Sequence, residues 1–444
     1  MHLVVLSTYP PRRCGLAAFT EDLRTALAER VPHWRVEICA VDRDDLRYGP
    51  EVVTRLRQDD PADYHRAAGT VAATGADLVL IQHEYNIFGG QDGDYLLRFT
   101  GELDRLGLPY VVTLHTVRTS ATDSQRRVMR SLCRNAARVT GFGQAAGRIA
   151  VEAGWVAPQR FVSVPHGVPA PMFDPPAPQS AGPALAGALA GLAGARVLST
   201  FGLLRPGKGL ETAIEALPQV VAQYPQVRYV VAGATHPETL RRSGEQYRQR
   251  LTALARDLGV AAHVRFVDSF LTEADLGVLL GQTEIYLTPY RSPEQTCSGA
   301  LTFALAAGCA VVSTAYRYAR ELVPPGAGVL VPFDDPAACG AAISALLADP
   351  ARLHAVRQAA RAAAASLSWP AVGERFAGVF AAAGQQRPVR PDQAHPDRFA
   401  TFAGNARPGA PAGGESTWSG SPPKPASRPP WRPVSRRPDP HRPG

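Results

Sequence analysis

Short apolar runs alternate with amphipathic helical stretches along most of this chain, and the alternation stops once and then restarts. Up to Val168 the apolar runs are HLVVLS, WRVEICAV, ADLVLIQH, YVVTLH, RVTGFG and FVSVPHG, with helical patterns such as AAFTEDLRTALAERV between them. From residue 196 the rhythm returns as RVLSTFG, the helix LETAIEALPQVVAQY, VRYVVAG, a charged helix predicted over Pro237 to Leu258, VRFVD, EADLGVLLGQ, EIYLTP, a helix from Gly299, CAVVST and GVLVP. Ala-rich helices follow to about Leu367. Strand-helix alternation demands parallel strands with helices on both sheet faces. At 444 residues the chain also exceeds the roughly 250–300 that a single core fills. The expected fold class is therefore α/β, with two doubly wound Rossmann-like domains facing a central cleft. The first spans 1–170 and the second 196–368, joined by a Pro/Ala/Gly linker over 171–195.

Composition removes several function classes. The six cysteines (14, 39, 133, 297, 309 and 339) form no C-x-x-C and no Cys/His group at metal spacing, which argues against a disulfide framework or a zinc site and fits a reducing compartment. The opening MHLVVLSTYPPRRCG holds too short an apolar run for a signal peptide and reads as a first strand. The stretch AGPALAGALAGLAGARVL (181–198) is mostly Ala and Gly and meets Arg196 before reaching bilayer length. Of the net charge of +8, six units lie in residues 387–444, where ten Lys/Arg stand against four Asp/Glu. That Pro/Arg/Gly-rich segment has no apolar period and is predicted to be a disordered tail. Its basicity makes it a candidate for peripheral attachment at a membrane face, and a nucleic-acid partner is not expected.

In doubly wound sheets ligands sit at the carboxyl ends of the strands, where loops enter helix N-termini. At the first strand end of the second domain stands FGLLRPGKGLETAIEAL, where Gly202 begins a tight loop that carries Lys208 between two glycines ahead of a helix starting near Leu210. Unpaired N–H groups and a compact ammonium suit a phosphate, although the P-loop spacing fails; the plain alternative is a lysine on an exposed turn. SPEQTCSGALTFALAAG (292–308) supplies the second half of such a cradle, with Ser298 and Gly299 opening a helix and Glu294 within reach of hydroxyls. In the first domain His83 and Glu84 follow one strand, His115 follows another, and Gly15 opens the first helix. His115 is expected to project into the cleft, whereas His83 either faces the cleft or hydrogen-bonds a loop carbonyl. Asp92 to Asp94 (DGD) resembles a divalent-ion motif, but its place before YLLRFTGEL favours a helix N-cap.

Together these segments resemble glycosyltransferase family 4, retaining enzymes of the two-domain GT-B fold. Within it they look most like a mannosyltransferase-like branch, through PPRRCGLAAFTEDL, QHEYNIFGGQDGDYLL, TLHTV, VPHGV and SPEQTCSGALTFALAAG. The resemblance covers most of residues 1–385 and implies that the second domain holds a nucleotide-activated hexose, with mannose from GDP-mannose first and UDP-glucose or a related donor as the rival. The first domain would hold a saccharide or lipid-linked acceptor. By the same resemblance Lys208, Arg205, Ser298 and Gly299 would contact the donor diphosphate, with no metal required. Gln295, Gly15 and Gly202 would line the donor, His115 and Glu294 would stand at the reacting centre, and His83 and Glu84 would face the acceptor. A closing helix over 369–384 would cross back onto the first domain. Work at the cytoplasmic side, where sugar nucleotides are made, is the matching location.

The sequence departs from the family pattern at two places. The signature's two glutamates are seven residues apart; counted from Glu294 the second position is Thr302, and in the alternative register fixed on Gly308 the pair becomes Gln295 and Phe303. Which of Glu294 and Gln295 meets the sugar stays open. The family's phosphate-binding arginine corresponds to Leu203, with Arg205 two residues on as its substitute. These departures leave a non-catalytic protein of the same fold, binding a glycan or a partner, as the competing expectation.

Overall fold

The computed structural model describes residues 1–385. The predicted tail over 387–444 lies outside the described residues.

The first domain runs β1 (His2–Ser7), α1 (Gly15–Arg30), β2 (Arg35–Asp42), β3 (Val52–Arg57), α2 (Pro61–Ala73), β4 (Leu78–His83), α3 (Leu96–Leu106), β5 (Tyr110–Leu114), α4 (Asp123–Arg134), β6 (Arg138–Gly141), α5 (Gly143–Glu152) and β7 (Phe161–Ser163). Its seven strands lie in the order β3-β2-β1-β4-β5-β6-β7, and every pairing is parallel. Every residue of β4 and β5 is buried, as expected of strands covered by helices on both faces. β3 has no counterpart among the predicted strands. At the sheet edge its residues alternate, with Leu56 buried and Arg55 and Arg57 exposed, so it lacks the continuous apolar run that marks the central strands.

Two short helices, α6 (Ala170–Phe173) and α7 (Pro183–Leu189), occupy the stretch predicted as linker. The second domain then runs β8 (Arg196–Phe201), α8 (Leu210–Gln223), β9 (Val227–Ala232), α9 (Pro237–Ser243), α10 (Gln246–Asp257), β10 (Val264–Val267), α11 (Glu273–Gln282), β11 (Ile285–Thr288), α12 (Gly299–Ala306), β12 (Ala310–Thr314), α13 (Arg317–Leu322), β13 (Gly328–Val331), α14 (Pro336–Ala348) and α15 (Pro350–Ala364). Its parallel sheet has the order β10-β9-β8-β11-β12-β13. The connecting stretch is seated on α11. A Cβ at Gly277 would stand 2.6 Å from the Pro171 carbonyl oxygen, one at Gly281 would stand 2.7 Å from Pro175 Cβ, and Gly182 N donates to Asp275 Oδ1 at 2.7 Å. The single charged helix predicted over Pro237 to Leu258 is two helices, because Gly244 takes a positive φ of 55° and ends α9.

α16 (Trp369–Gly384) leaves the second domain and lies along α1. Gly373 permits the approach, since a Cβ there would stand 2.8 Å from Ala26 Cβ. Phe376 and Phe380 are fully buried, and one apolar cluster runs from Leu3, Phe19 and Leu23 through Phe376 to Leu301 and Tyr286 of the second sheet. Truncating Phe376 to Ala removes a buried ring from the helix that ties the two domains. It is expected to lower stability by about 3–5 kcal/mol, read as a fall in thermal midpoint.

Candidate functional site

In each sheet the strand order reverses once, between β1 and β4 and again between β8 and β11. Loops leaving neighbouring strands at such a point diverge and open a crevice. In the second domain the crevice lies between the loop after β8, which carries Lys208, and the loop after β11, residues 289–298. The two loops are in direct contact: Arg291 N donates to Gly207 O at 3.2 Å, and Gly209, at φ 63°, leaves no room for a side chain beside the Pro289 carbonyl.

Lys208 is 9% exposed. Its Nζ donates to Phe201 O at 2.9 Å, lies 3.5 Å from Tyr290 Oη, and sits 5.3 Å from that ring's centroid. Among the described residues it has no carboxylate partner. Burial pushes the Tyr290 phenol upward, but the Lys208 ammonium, a hydrogen bond with Ser298 and the Arg205 charge together bring it below its ordinary value. Tyr290 thus joins Lys208 to Ser298, the N-cap of α12, whose Oγ accepts from Leu301 N at 3.2 Å. The next two N–H groups of α12, on Gly299 and Ala300, have no intrahelical acceptor. A Cβ at Gly299 would stand 2.9 Å from His166 Nε2, so only glycine fits against that imidazole. Gly202, at φ 108°, lets the chain turn beside Lys208, and Arg205 is exposed near His236, whose pKa is lowered by burial and then by the Arg205 charge.

The first-domain candidates divide. His83 is fully buried, its ring stacked 6.2 Å from Phe88 and edge-on to Tyr85 at 5.1 Å, with neither ring nitrogen paired. It is enclosed by rings from the loop that follows β4 and has no exposed surface. Glu84, one residue on, accepts from Tyr85 N at 2.9 Å and Thr116 Oγ1 at 2.6 Å. His115 is half-buried. Its Nε2 pairs with Gln82 Oε1 at 2.6 Å, and its ring packs on Phe19 at 4.9 Å and Phe142 at 5.0 Å. Phe19 also touches His166 at 5.0 Å, which links His115 to the mouth of α12. Burial holds His83 and His166 down to about 4 and His115 well below its usual value, so all three rings are neutral at pH 7. His166 Nδ1 donates to Gly167 O at 2.7 Å, leaving Nε2 as an acceptor. Gly15 is exposed, with open space where a side chain would stand.

The DGD segment is not an N-cap. Gln91–Gly93 forms a single 3-10 turn, α3 begins at Leu96 after Tyr95 with no side-chain cap, and Asp92 accepts instead from Gln125 Nε2 at 3.1 Å. Among the described residues no group of His, Cys, Asp or Glu side chains could hold a metal ion, and all six cysteines are free.

Several functional-looking contacts cross between the domains. Glu294 accepts from Ser120 N at 3.2 Å, Ser120 Oγ at 2.6 Å and the Thr119 hydroxyl, while Val117 N donates to Thr296 Oγ1 at 3.2 Å. Gln295 turns back to its own loop, its Nε2 donating to Cys297 O at 2.6 Å. Glu321 of α13 accepts from Gln144 N at 2.8 Å and Ala145 N at 2.7 Å at the start of α5. Thr302, at the second signature position, is fully buried and donates to Ser298 O at 2.9 Å.

Residues 193–363 match the family model described as Glycosyl transferases group 1. Relatives of the chain include the phosphatidyl-myo-inositol mannosyltransferase of Mycolicibacterium smegmatis, 32% identical over 145 residues, which are 32% of this chain and 34% of that one. The GDP-mannose-dependent monoacylated alpha-(1-6)-phosphatidylinositol monomannoside mannosyltransferase of Corynebacterium glutamicum is 29% identical over 230 residues, 50% of this chain and 56% of that one. The chain thus spans less than two thirds of the length of either relative. Among solved structures, Anabaena HepE in complex with UDP superposes with a TM-score of 0.68 at 18% identity, covering 86% of this chain and 100% of that one. The fold is GT-B.

In the second domain Tyr290 and Thr296 are site residues that no motif in the sequence marks, although Tyr290 stands two residues beyond the end of β11. Just ahead of the domain, His166 was quoted only as part of VPHGV. A further missed contact lies at the seam: Trp369 Nε1 donates to Asp22 Oδ2 at 2.8 Å, and Asp22 also hydrogen-bonds Glu273. Burial first, then the Glu273 charge, raise Asp22 from 3.8 to about 9. The folded state therefore holds a proton that the unfolded chain releases. The stability this adds is complete below pH 3.8 and is lost as pH rises towards about 9, by at most about 1.4 kcal/mol per pH unit. Asp22→Asn keeps an acceptor for Trp369 and is expected to flatten the fall in thermal midpoint between pH 5 and 9.

Proposed function

We propose that the protein is a retaining glycosyltransferase that moves a hexose from a nucleoside-diphosphate sugar to a saccharide or lipid-linked acceptor. One observation carries this reading: a nearly buried ammonium, Lys208, has no carboxylate partner and is joined through Tyr290 to the capping serine of α12. A buried cation without a counter-charge is unfavourable unless an anion arrives. The N–H groups of Gly299 and Ala300 add donors of the kind that bind phosphate oxygens.

In the proposed reaction the sugar's C1–O bond to the diphosphate breaks and the diphosphate keeps the electron pair. A bond from C1 to the acceptor oxygen forms, and the acceptor's proton passes to a leaving phosphate oxygen. Lys208 and α12 then stabilise the charge that grows on the diphosphate, and no pair of protein carboxylates is required. His115, neutral and held by Gln82, offers the sugar a hydrogen bond without a competing positive charge. No metal has a role in this scheme. Mannose carried by GDP is the proposed donor, supported by the printed names of the mannosyltransferase relatives. A UDP-sugar is the rival, supported by the UDP complex of the structural neighbour. A cytoplasmic location, where such donors are made, fits this reading; no helix among the described residues is long and apolar enough to cross a bilayer.

A non-catalytic binding role is favoured by one feature, the engagement of Glu294 by Thr119 and Ser120 together with Thr302 at the second signature position. Calorimetric titration with GDP, UDP and GDP-mannose, with and without EDTA, separates the readings. The transferase reading expects binding that EDTA leaves intact. It also expects Lys208→Ala to lower kcat/KM by a factor on the order of 10²–10³, about 3 kcal/mol of transition-state stabilisation. Absence of binding to every nucleotide and nucleotide sugar would sink it.

A further inference from the structure

The opposite end of the first sheet carries a second cationic cavity, of about 380 Å³, lined by Arg130 and Arg134 of α4, by Trp155 and its neighbours after α5, and by Arg160 just before β7. These residues precede or adjoin the first residues of β6 and β7, Arg138 and Phe161, so the cavity lies at the strands' N-terminal ends, away from the crevice that holds Lys208. Arg160 is fixed by the fold: its Nη1 donates to Arg134 O at 2.7 Å and Ala136 O at 3.0 Å, where α4 runs out of intrahelical donors. Arg130 and Arg134 stand one turn apart on the same helix and, among the described residues, have no carboxylate or carbonyl partner. The nearby acid Asp104 is taken by Asn135 Nδ2 at 2.7 Å.

Trp155 gives a second and independent sign. It is 2% exposed, and its indole N–H has no acceptor. Buried donors are nearly always paired in folded proteins, and an indole can only donate. The cavity is therefore lined by three guanidinium groups and by a tryptophan whose buried indole N–H is left without a partner. The complementary ligand is a compact anion rich in acceptor oxygens, able to meet planar Arg forks from several sides. We propose that this cavity binds a phosphate group, carried either by a soluble phosphate ester or by the headgroup of an anionic lipid. The site is separate from the proposed transfer site and stands or falls independently of it.

The test uses the full chain with 15N-labelled tryptophan. Its five tryptophans give five indole signals, and Trp155→Phe identifies the one at issue. On titration with inorganic phosphate at constant ionic strength, the Trp155 indole proton is expected to move downfield and saturate. Arg130→Ala and Arg134→Ala, both on exposed positions, are expected to weaken the response at least tenfold without changing the thermal midpoint, whereas Lys208→Ala leaves it unchanged. A second arm sediments the protein with phosphatidylcholine vesicles that contain or lack phosphatidylglycerol. Sedimentation that needs phosphatidylglycerol and is lost in the arginine variants assigns the lipid headgroup; a saturating phosphate response without such sedimentation assigns a soluble ester. If the Trp155 signal stays still and sedimentation ignores the arginines, or if the shift survives both arginine substitutions, the proposal is overturned.

Discussion

The arrangement of the two domains depends on the packing around Phe19. This α1 side chain meets His115 from the end of β5, Phe142 from the end of β6, His166 from the loop after β7, and Trp369 and Phe376 from the returning helix, all with ring centroids between 4.9 and 6.3 Å. Most of these contacts are edge-to-face, the geometry that aromatic pairs favour over a face-to-face sandwich. Because this ring also touches Trp369 and Phe376, from the far end of the described chain, it ties the strand ends of the first sheet to α16 and, through His166, to α12.

The cluster also sets the electrostatics of the crevice. Three imidazoles lie in or near it, and burial keeps each neutral at physiological pH. Their contribution near a ligand is then directional hydrogen bonding, which leaves the positive potential to Lys208, Arg205 and the start of α12. A neutral His166 presenting Nε2 as an acceptor beside Gly299 has a specific consequence. A phosphate oxygen placed at that point would face a lone pair, which disfavours an anion on the His166 side of the helix mouth.

What could be read from the sequence follows from how strongly each element announces itself. Central strands such as β4 and β5 are apolar at nearly every position because both faces are covered, and helices such as α8 and α16 carry long periodic stretches. β3 carries a weak signal because an edge strand needs only one apolar face, and α9 and α10 read as one helix because the break at Gly244 lies inside a continuous charged stretch. Among the candidate residues, the strand-end positions of Lys208 and Gly299 were legible because loop composition reports local backbone geometry. The depth of His83 was not legible, because sequence fixes a strand end only to within a residue and the rings that enclose it, Tyr85 and Phe88, come from the loop that follows. Contacts between the domains, including Glu294 with Ser120, Asp22 with Glu273, and Glu321 with α5, join residues 170 or more positions apart and leave no local pattern.

Those long-range contacts also bear on the missing signature acid. With Thr302 locked in the core by Ser298 and Tyr318, α12 has no carboxylate on that turn to hold a ribose. Glu294 is drawn instead to the first domain, where it accepts three hydrogen bonds from Thr119 and Ser120. For Glu294 to reach a sugar, at least some of these bonds must be exchanged for ligand hydroxyls. Each exchange replaces one charge-assisted bond with another, so its net cost is small compared with leaving the carboxylate unpaired. In the proposed complex the carboxylate would exchange the domain seam for a polyhydroxylated ligand, so ligand binding would be linked to relaxation of this part of the seam.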